Sequence, residues 1–217
     1  MSKSSTPLQL RGQRTEKVSR SDADVERIFV AIDVQNLWYS SREQFGLTAR
    51  VDFEKLRDMI LRKTLARIPR SPKMVAYTVT ASTKIKASGE IKYVGKKNDR
   101  FLSALEHLGF EVRNRNMHAE KGIKKPFHTD WDIGIALDAI KHIDNYDTFT
   151  LVSGDGDYAM LIEDLKERGK FVEVFTFQST ASRLLHVAAN RVIHITKDQL
   201  YFQEPRRGND KTKTDAR

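Results

Sequence analysis

The 217-residue chain has no cysteine, which excludes a disulfide framework, thiolate metal ligands and a cysteine nucleophile. Proline (5) and glycine (11) are too sparse for a fibrous or low-complexity protein. No apolar run approaches the roughly 18 residues that cross a bilayer. The N-terminus carries Lys3, Arg11, Arg14, Lys17 and Arg20 without an apolar stretch, so it does not read as a signal peptide. These absences point to a soluble, cytoplasmic protein with no membrane partner. Its length suits one domain with a sizeable core.

Positive charge is what the chain has in excess: 38 Lys plus Arg against 29 Asp plus Glu, a net +9. Residues 1–24 and 204–217 each hold five basic and three acidic residues, which leaves +5 on residues 25–203. Both tails are rich in Ser, Thr, Lys and Arg, and both are expected to be disordered around one domain. A basic surplus is ordinarily a solvated surface, but it is also the footprint of a polyanionic partner.

Between the tails, short apolar runs alternate with amphipathic segments of helical length. Strands are expected at Ile28–Ile32, Met74–Thr78, Phe110–Arg113, Thr148–Val152, Phe171–Phe175 and Val192–His194, each short and rich in β-branched or aromatic residues. Helices are expected over 53–66, 99–108, 133–143, around Leu161–Leu165 and over 179–189. Asp52 suits a helix N-cap, and Gly109 and Gly169 suit helix ends that lead into strands. The alternation predicts an α/β fold of three layers, α/β/α, around a mainly parallel central sheet.

In such sheets ligands bind beyond the carboxyl ends of the strands. Asp33 follows the first apolar run, Asp155 and Asp157 follow Thr148–Val152, and Asp132 opens the helix before that strand. Asp130 lies two residues before Asp132 and Asp138 six residues after it, so both stand near the same set. Any one of these acids could simply cap or open a helix. Converging carboxylates repel unless cations sit between them. An oxygen-only donor set without paired histidines favours Mg²⁺ or Mn²⁺, ions suited to in-line phosphodiester displacement. Gly154, Gly156 and Ala159 also fit a loose dinucleotide pattern, with Glu173 at the ribose-ligand spacing. Two aspartates in that loop would oppose a pyrophosphate.

Cations crowd two segments. Residues 84–100, expected as an exposed loop leading into a helix, hold six of them against two acids, and residues 111–128 hold five against two. Lys84, Lys96, Lys97, Arg113, Arg115, Lys124, Lys125 and His128 are the candidate nucleic-acid contacts. Trp38, Tyr39, Tyr93, Phe127 and Trp131 are candidates for stacking on unpaired bases, which would favour single-stranded RNA, although each also suits core packing.

AIDVQNLWYS at 31–40, WDIGIALDAI at 131–140 and YDTFTLVSGDGDYAMLIEDLKERGKFVEVFTF at 146–177 strongly resemble the NYN family of PIN-like nuclease domains, of the LabA-like type. The resemblance spans roughly residues 27–195. It implies a PIN-like fold and a metal-dependent ribonuclease, or descent from one. Asp33, Asp132, Asp155 and Asp157 correspond to the family's catalytic, metal-binding acids, with Asn36 and Ser153 as accompanying polar residues. His128-Thr129 stands where family members often carry Lys-Gly. Such domains commonly pair, so a homodimer is also implied. The expected function is endoribonucleolytic hydrolysis with Mg²⁺ or Mn²⁺, leaving a 5′-phosphate. A catalytically weak nucleic-acid-binding or regulatory module of the same fold is the alternative. A phosphohydrolase acting on mononucleotides also fits the acids but leaves the basic segments unexplained.

Overall fold

Ile28–Asp33 (β1) is buried at every position, as a strand covered on both faces must be. Its side chains alternate between two cores. Ile28, Val30 and Ile32 pack with Leu37, Leu56, Ile60 and Leu105, whereas Phe29 and Ala31 pack with Ile135, Ala139, Leu161 and Leu165. The period of two in one strand thus builds both faces of the molecule. Helices α1 (Val34–Phe45), α2 (Phe53–Lys63) and α3 (Asp99–His107) cover one side. Helices α4 (Asp132–Lys141), α5 (Ala159–Glu167) and α6 (Arg183–Ala188) cover the other.

The computed structural model describes residues 26–64, 72–87, 90–95, 99–119 and 130–203, and over 81–95, 99 and 116–119 it describes the backbone alone. The tails read from sequence at residues 1–24 and 204–217 lie outside the described residues, as does residue 25.

The remaining strands are β2 (Ala49–Val51), β3 (Lys73–Ala87), β4 (Glu90–Gly95), β5 (Glu111–Ala119), β6 (Thr148–Val152), β7 (Phe171–Phe177), β8 (Arg191–Ile195) and β9 (Leu200–Phe202). The main sheet has seven strands in the order β4-β3-β1-β6-β7-β8, with β5 also paired to β3. Every pairing in it is parallel except β3 with β4. The chain leaves β1 toward β3 and β5 on one side, then fills β6, β7 and β8 on the other. The order therefore reverses between β1 and β6, and a crevice opens beyond their carboxyl ends. The expected α/β/α sandwich is the observed fold.

Several local expectations hold. Asp52 caps α2 by accepting from the Lys55 N–H, and Gly109 and Gly169 take φ of 87° and 78° at the ends of their helices. Three features differ. Helix α1, absent from the expected set, has a narrow apolar stripe, with only Val34 and Leu37 among its buried apolar positions. The segment read as an exposed loop is largely a hairpin, in which β3 runs on to Ala87 and pairs back with β4 from Glu90 to Gly95. The alternation in Thr83–Ala87 and Glu90–Val94 around Ser88-Gly89 is a hairpin signal that the crowding of lysines obscures. The three-residue strands β2 and β9 pair antiparallel in a separate small sheet.

Candidate functional site

Asp33 is the last residue of β1 and the N-cap of α1, its Oδ1 accepting from the Asn36 N–H at 2.9 Å. Its neighbour strand β6 ends at Val152 and passes through Ser153 and Gly154 into a one-turn 3-10 helix at Gly156–Tyr158. Asp155 caps that turn, accepting from the Asp157 N–H at 3.0 Å. Asp132 occupies the first position of α4, after Trp131. The local capping roles are real, and the same residues converge. One carboxylate oxygen from each of Asp132, Asp155 and Asp157 lies within 4.8 Å of the others.

Asp33 joins this triangle through Tyr158. The buried Tyr158 hydroxyl donates to Asp132 at 2.8 Å and to Asp33 Oδ2 at 3.3 Å. Burial pushes the Asp33 carboxyl up to about 6, with added repulsion from Asp132 and Asp155 and opposing help from the Asn36 N–H and the Tyr158 hydroxyl. Burial likewise raises Asp132, where Asp130, Asp155 and Asp157 add repulsion. The Tyr158 phenol is raised by burial and by its two carboxylate partners, so it remains a proton-bearing donor. Only the position of Tyr158, directly after Asp157 in the loop, could have pointed to this role.

The side chains of Asn36 and Ser153 bond to backbone N–H groups of the loop, while the Asn36 backbone N–H is the group that touches the Asp33 carboxylate. Asn36 Oδ1 accepts from the Gly154 N–H at 2.8 Å, and the fully buried Ser153 accepts at Oγ from the Asp155 N–H at 3.2 Å. The two glycines of the loop are required by close approach. A Cβ at Gly154 would stand 2.9 Å from both Thr176 Oγ1 and the Thr180 carbonyl oxygen, and one at Gly156 would stand 2.5 Å from Ser182 Oγ. No pyrophosphate is needed to explain them. Glu173 is unsuited to a ribose role, being fully buried in mid-strand, where it accepts from Thr64 at 2.5 Å and pairs with Arg191 at 3.1 Å.

Asp138 also belongs to the scaffold. It accepts from the buried Tyr77 hydroxyl at 2.8 Å and lies 3.1 Å from Arg113, which also pairs with Glu111. Arg113 is thereby committed to neighbouring acids. Arg115 differs: it is exposed, stacks 4.0 Å from the Trp131 ring centroid, and donates to the Asp130 carbonyl at 2.9 Å. That puts a cation beside the start of α4. Trp131 itself is a packing residue, with its ring against Tyr77 and its Nε1 donating to the Thr78 carbonyl. Lys84 lies on β3, where the description is of backbone alone. Lys96, Lys97, Lys124, Lys125, Phe127 and His128 lie outside the described residues.

The donor set suits a hard divalent cation. It consists of carboxylate oxygens without sulfur or imidazole, and a cation would offset both the burial that raises Asp33 and Asp132 and the smaller repulsion among the acids. Beside it, a groove of about 570 Å³ between α4 and α5 is lined by Asp130, Asp132, Asp157 and the apolar Ile133 and Met160. Among the described residues no helix is long and apolar enough to cross a membrane.

The NYN domain model matches residues 27–196. The low amplitude and bright protein LabA of Synechococcus elongatus is 28% identical over 123 residues, which cover 53% of this chain and 66% of that protein. This chain thus spans just under two thirds of that relative's length. The crystal structure of a Vibrio parahaemolyticus protein of unknown function has a TM-score of 0.62 and 28% identity, covering 84% of this chain and 99% of that one.

Proposed function

The chain belongs to the NYN domain family, and on that premise we propose that it is a metal-dependent endoribonuclease acting in the cytoplasm on single-stranded RNA. The observation that carries this is the convergence of the Asp132, Asp155 and Asp157 carboxylates within 4.8 Å, next to a buried Asp33 whose carboxyl is raised to about 6. Family membership supports a nuclease-like activity; metal dependence and RNA as substrate are the proposal.

Asp132, Asp155 and Asp157 would hold Mg²⁺ or Mn²⁺, with Asp33 completing the acidic set. When bound, such an ion supplies Lewis-acid stabilisation of the phosphate and activation of water. The chain's own residues do the positioning. Tyr158 holds Asp132 and Asp33 in fixed relative orientation by donating to both. Asn36 locks the loop bearing Asp155 and Asp157 onto α1. Arg115, held in place by Trp131 and the Asp130 carbonyl, offers its charge to an incoming phosphate. Backbone contacts of this type make binding fall steeply with salt and carry little sequence preference.

The test is cleavage of labelled single- and double-stranded RNA and DNA with Mg²⁺, Mn²⁺ or EDTA, beside Asp33→Asn and Asp155→Asn. Metal-dependent RNA cleavage lost in both variants is expected. Cleavage that persists in EDTA or in both variants would overturn the proposal. Salt-sensitive binding without cleavage would select the regulatory module instead.

A further inference from the structure

Helix α1 leads away from Asp33 along a second cavity, of about 590 Å³, on the α1–α2–α3 side of the sheet. It begins at Val34 and Gln35, the residues directly after Asp33, and continues past Trp38 and Tyr39 to Tyr201. It thus starts within two residues of Asp33, and it also includes Thr78, whose carbonyl accepts from Trp131, the residue before Asp132. Phe53 and Phe101, packed edge to face at 5.6 Å, line the inner part of the cavity.

Three aromatic rings lining it are unusually open: Trp38 is 42% exposed, Tyr39 58% and Tyr201 47%. Solvent exposure of large rings around one hollow is costly unless something covers them. The Trp38 ring is already oriented, with Tyr39 at 4.7 Å and nearly perpendicular, and the Arg42 guanidinium 4.2 Å from its centroid. Arg50 is fixed by bonds to the Leu47 and Ala49 carbonyls. The lining contains this arginine and no carboxylate, whereas the groove between α4 and α5 is lined by four aspartates. The aromatic cavity thus suits an anionic ligand with a flat ring. Gln35 and Gln203 add carboxamides that can donate to and accept from the edge of such a ring.

We propose that this cavity holds an unpaired nucleobase of the RNA strand whose backbone crosses the acid cluster, stacked on the Trp38 face opposite Arg42, with the perpendicular Tyr39 ring closing one side and the two glutamines at its edge. The inference rests on the nuclease reading for the presence of RNA at the crevice, and it adds a source of single-strand selectivity and base preference. Duplex RNA keeps its bases stacked inward and cannot fill the cavity.

The experiment titrates the full chain, in EDTA, with single-stranded RNA homopolymers and with duplex RNA while following tryptophan fluorescence. Trp131 is the only other tryptophan. Single strands are expected to quench emission in the parent protein but much less in Trp38→Phe, which keeps a stacking ring and most of the affinity. Trp38→Ala and Tyr39→Ala are expected to weaken single-strand binding about 10-fold each, in line with the loss of a base–aromatic contact. Duplex affinity and thermal midpoint should be unchanged. Single strands bound with equal affinity by both alanine variants, quenching that survives Trp38→Phe, or an absence of single-strand binding would each overturn the proposal. Metal-dependent cleavage of the same oligomers is scored separately. Cleavage indifferent to Trp38 and Tyr39 removes the pocket and leaves the nuclease, whereas Trp38-dependent quenching without cleavage removes the nuclease and leaves the pocket.

Discussion

Asn36 Oδ1 accepts the backbone N–H of Gly154 at 2.8 Å across 118 residues of sequence. This bond joins the first turn of α1, capped by Asp33, to the loop that carries Asp155 and Asp157. Asn36→Ala leaves that N–H without its acceptor, and an unpaired buried donor costs about 1–3 kcal/mol. A lower denaturation midpoint is expected, together with faster amide exchange at Gly154–Asp157. Unchanged exchange there would remove the positioning role.

Asp33 is held against its own solvation. A carboxyl raised from 3.8 to about 6 in the folded state binds its proton more tightly folded than unfolded. Its stabilising contribution is complete below about pH 4 and is lost as pH rises to about 6. Asn substitutes well at an N-cap. In EDTA, Asp33→Asn should therefore be more stable than the parent at pH 7 by up to about 3 kcal/mol. The difference should grow between pH 4 and 6 and level off above. Thermal denaturation across that range decides it, and a variant less stable at every pH would contradict it.

Tyr158→Phe removes the hydroxyl shared by Asp132 and Asp33. That donor lowers both carboxyls, so both should titrate higher without it. The acidic limb of the pH–cleavage profile is expected to move to higher pH, with about a 10-fold loss of rate on that limb for each unit that it moves. A profile that keeps its shape would deny the coupling.

Gly156→Ala would set a methyl group 2.5 Å from Ser182 Oγ and 3.0 Å from its Cβ. Overpacking of this kind costs about 1–3 kcal/mol. Adding Ser182→Gly should restore part of the loss, and calorimetry of the single and double variants measures the coupling.

The two arginines of β5 should separate cleanly. Arg115→Ala is expected to weaken RNA binding and lower the slope of log affinity against log salt by about 1, leaving stability nearly intact. Arg113→Ala deprives Asp138 of its cation and should cost about 1–2 kcal/mol of stability, since the pair is part-exposed. Salt titrations and melting curves on the same two variants give the comparison.

Much of the fold was legible because buried parallel strands write their pattern locally: the runs at Ile28–Ile32 and Thr148–Val152 are strands within a residue of their expected limits. Helix α1 and the β3–β4 hairpin were not. The first has a short apolar stripe, and in the second the lysines mask a period of two. At the site, the spacing of Asp33, Asp132, Asp155 and Asp157 marked them as strand-end and helix-start residues. It could not show that Asp138, six residues past Asp132, turns to Tyr77 and Arg113.

The sequence by itself determined which acids lie beyond strand ends, that two glycines stand among them, and that no thiol competes for a metal. Those properties are fixed by residue type and local periodicity. Only the tertiary structure decided that Tyr158 joins Asp33 to Asp132, that Asn36 ties one loop to another, and that Trp38 and Tyr39 face a cavity while Trp131 is packed. Each of these depends on strands β1 and β6 lying side by side, with β3 beyond β1. Strand order is set by how helices pack across a sheet, over separations that no local pattern encodes.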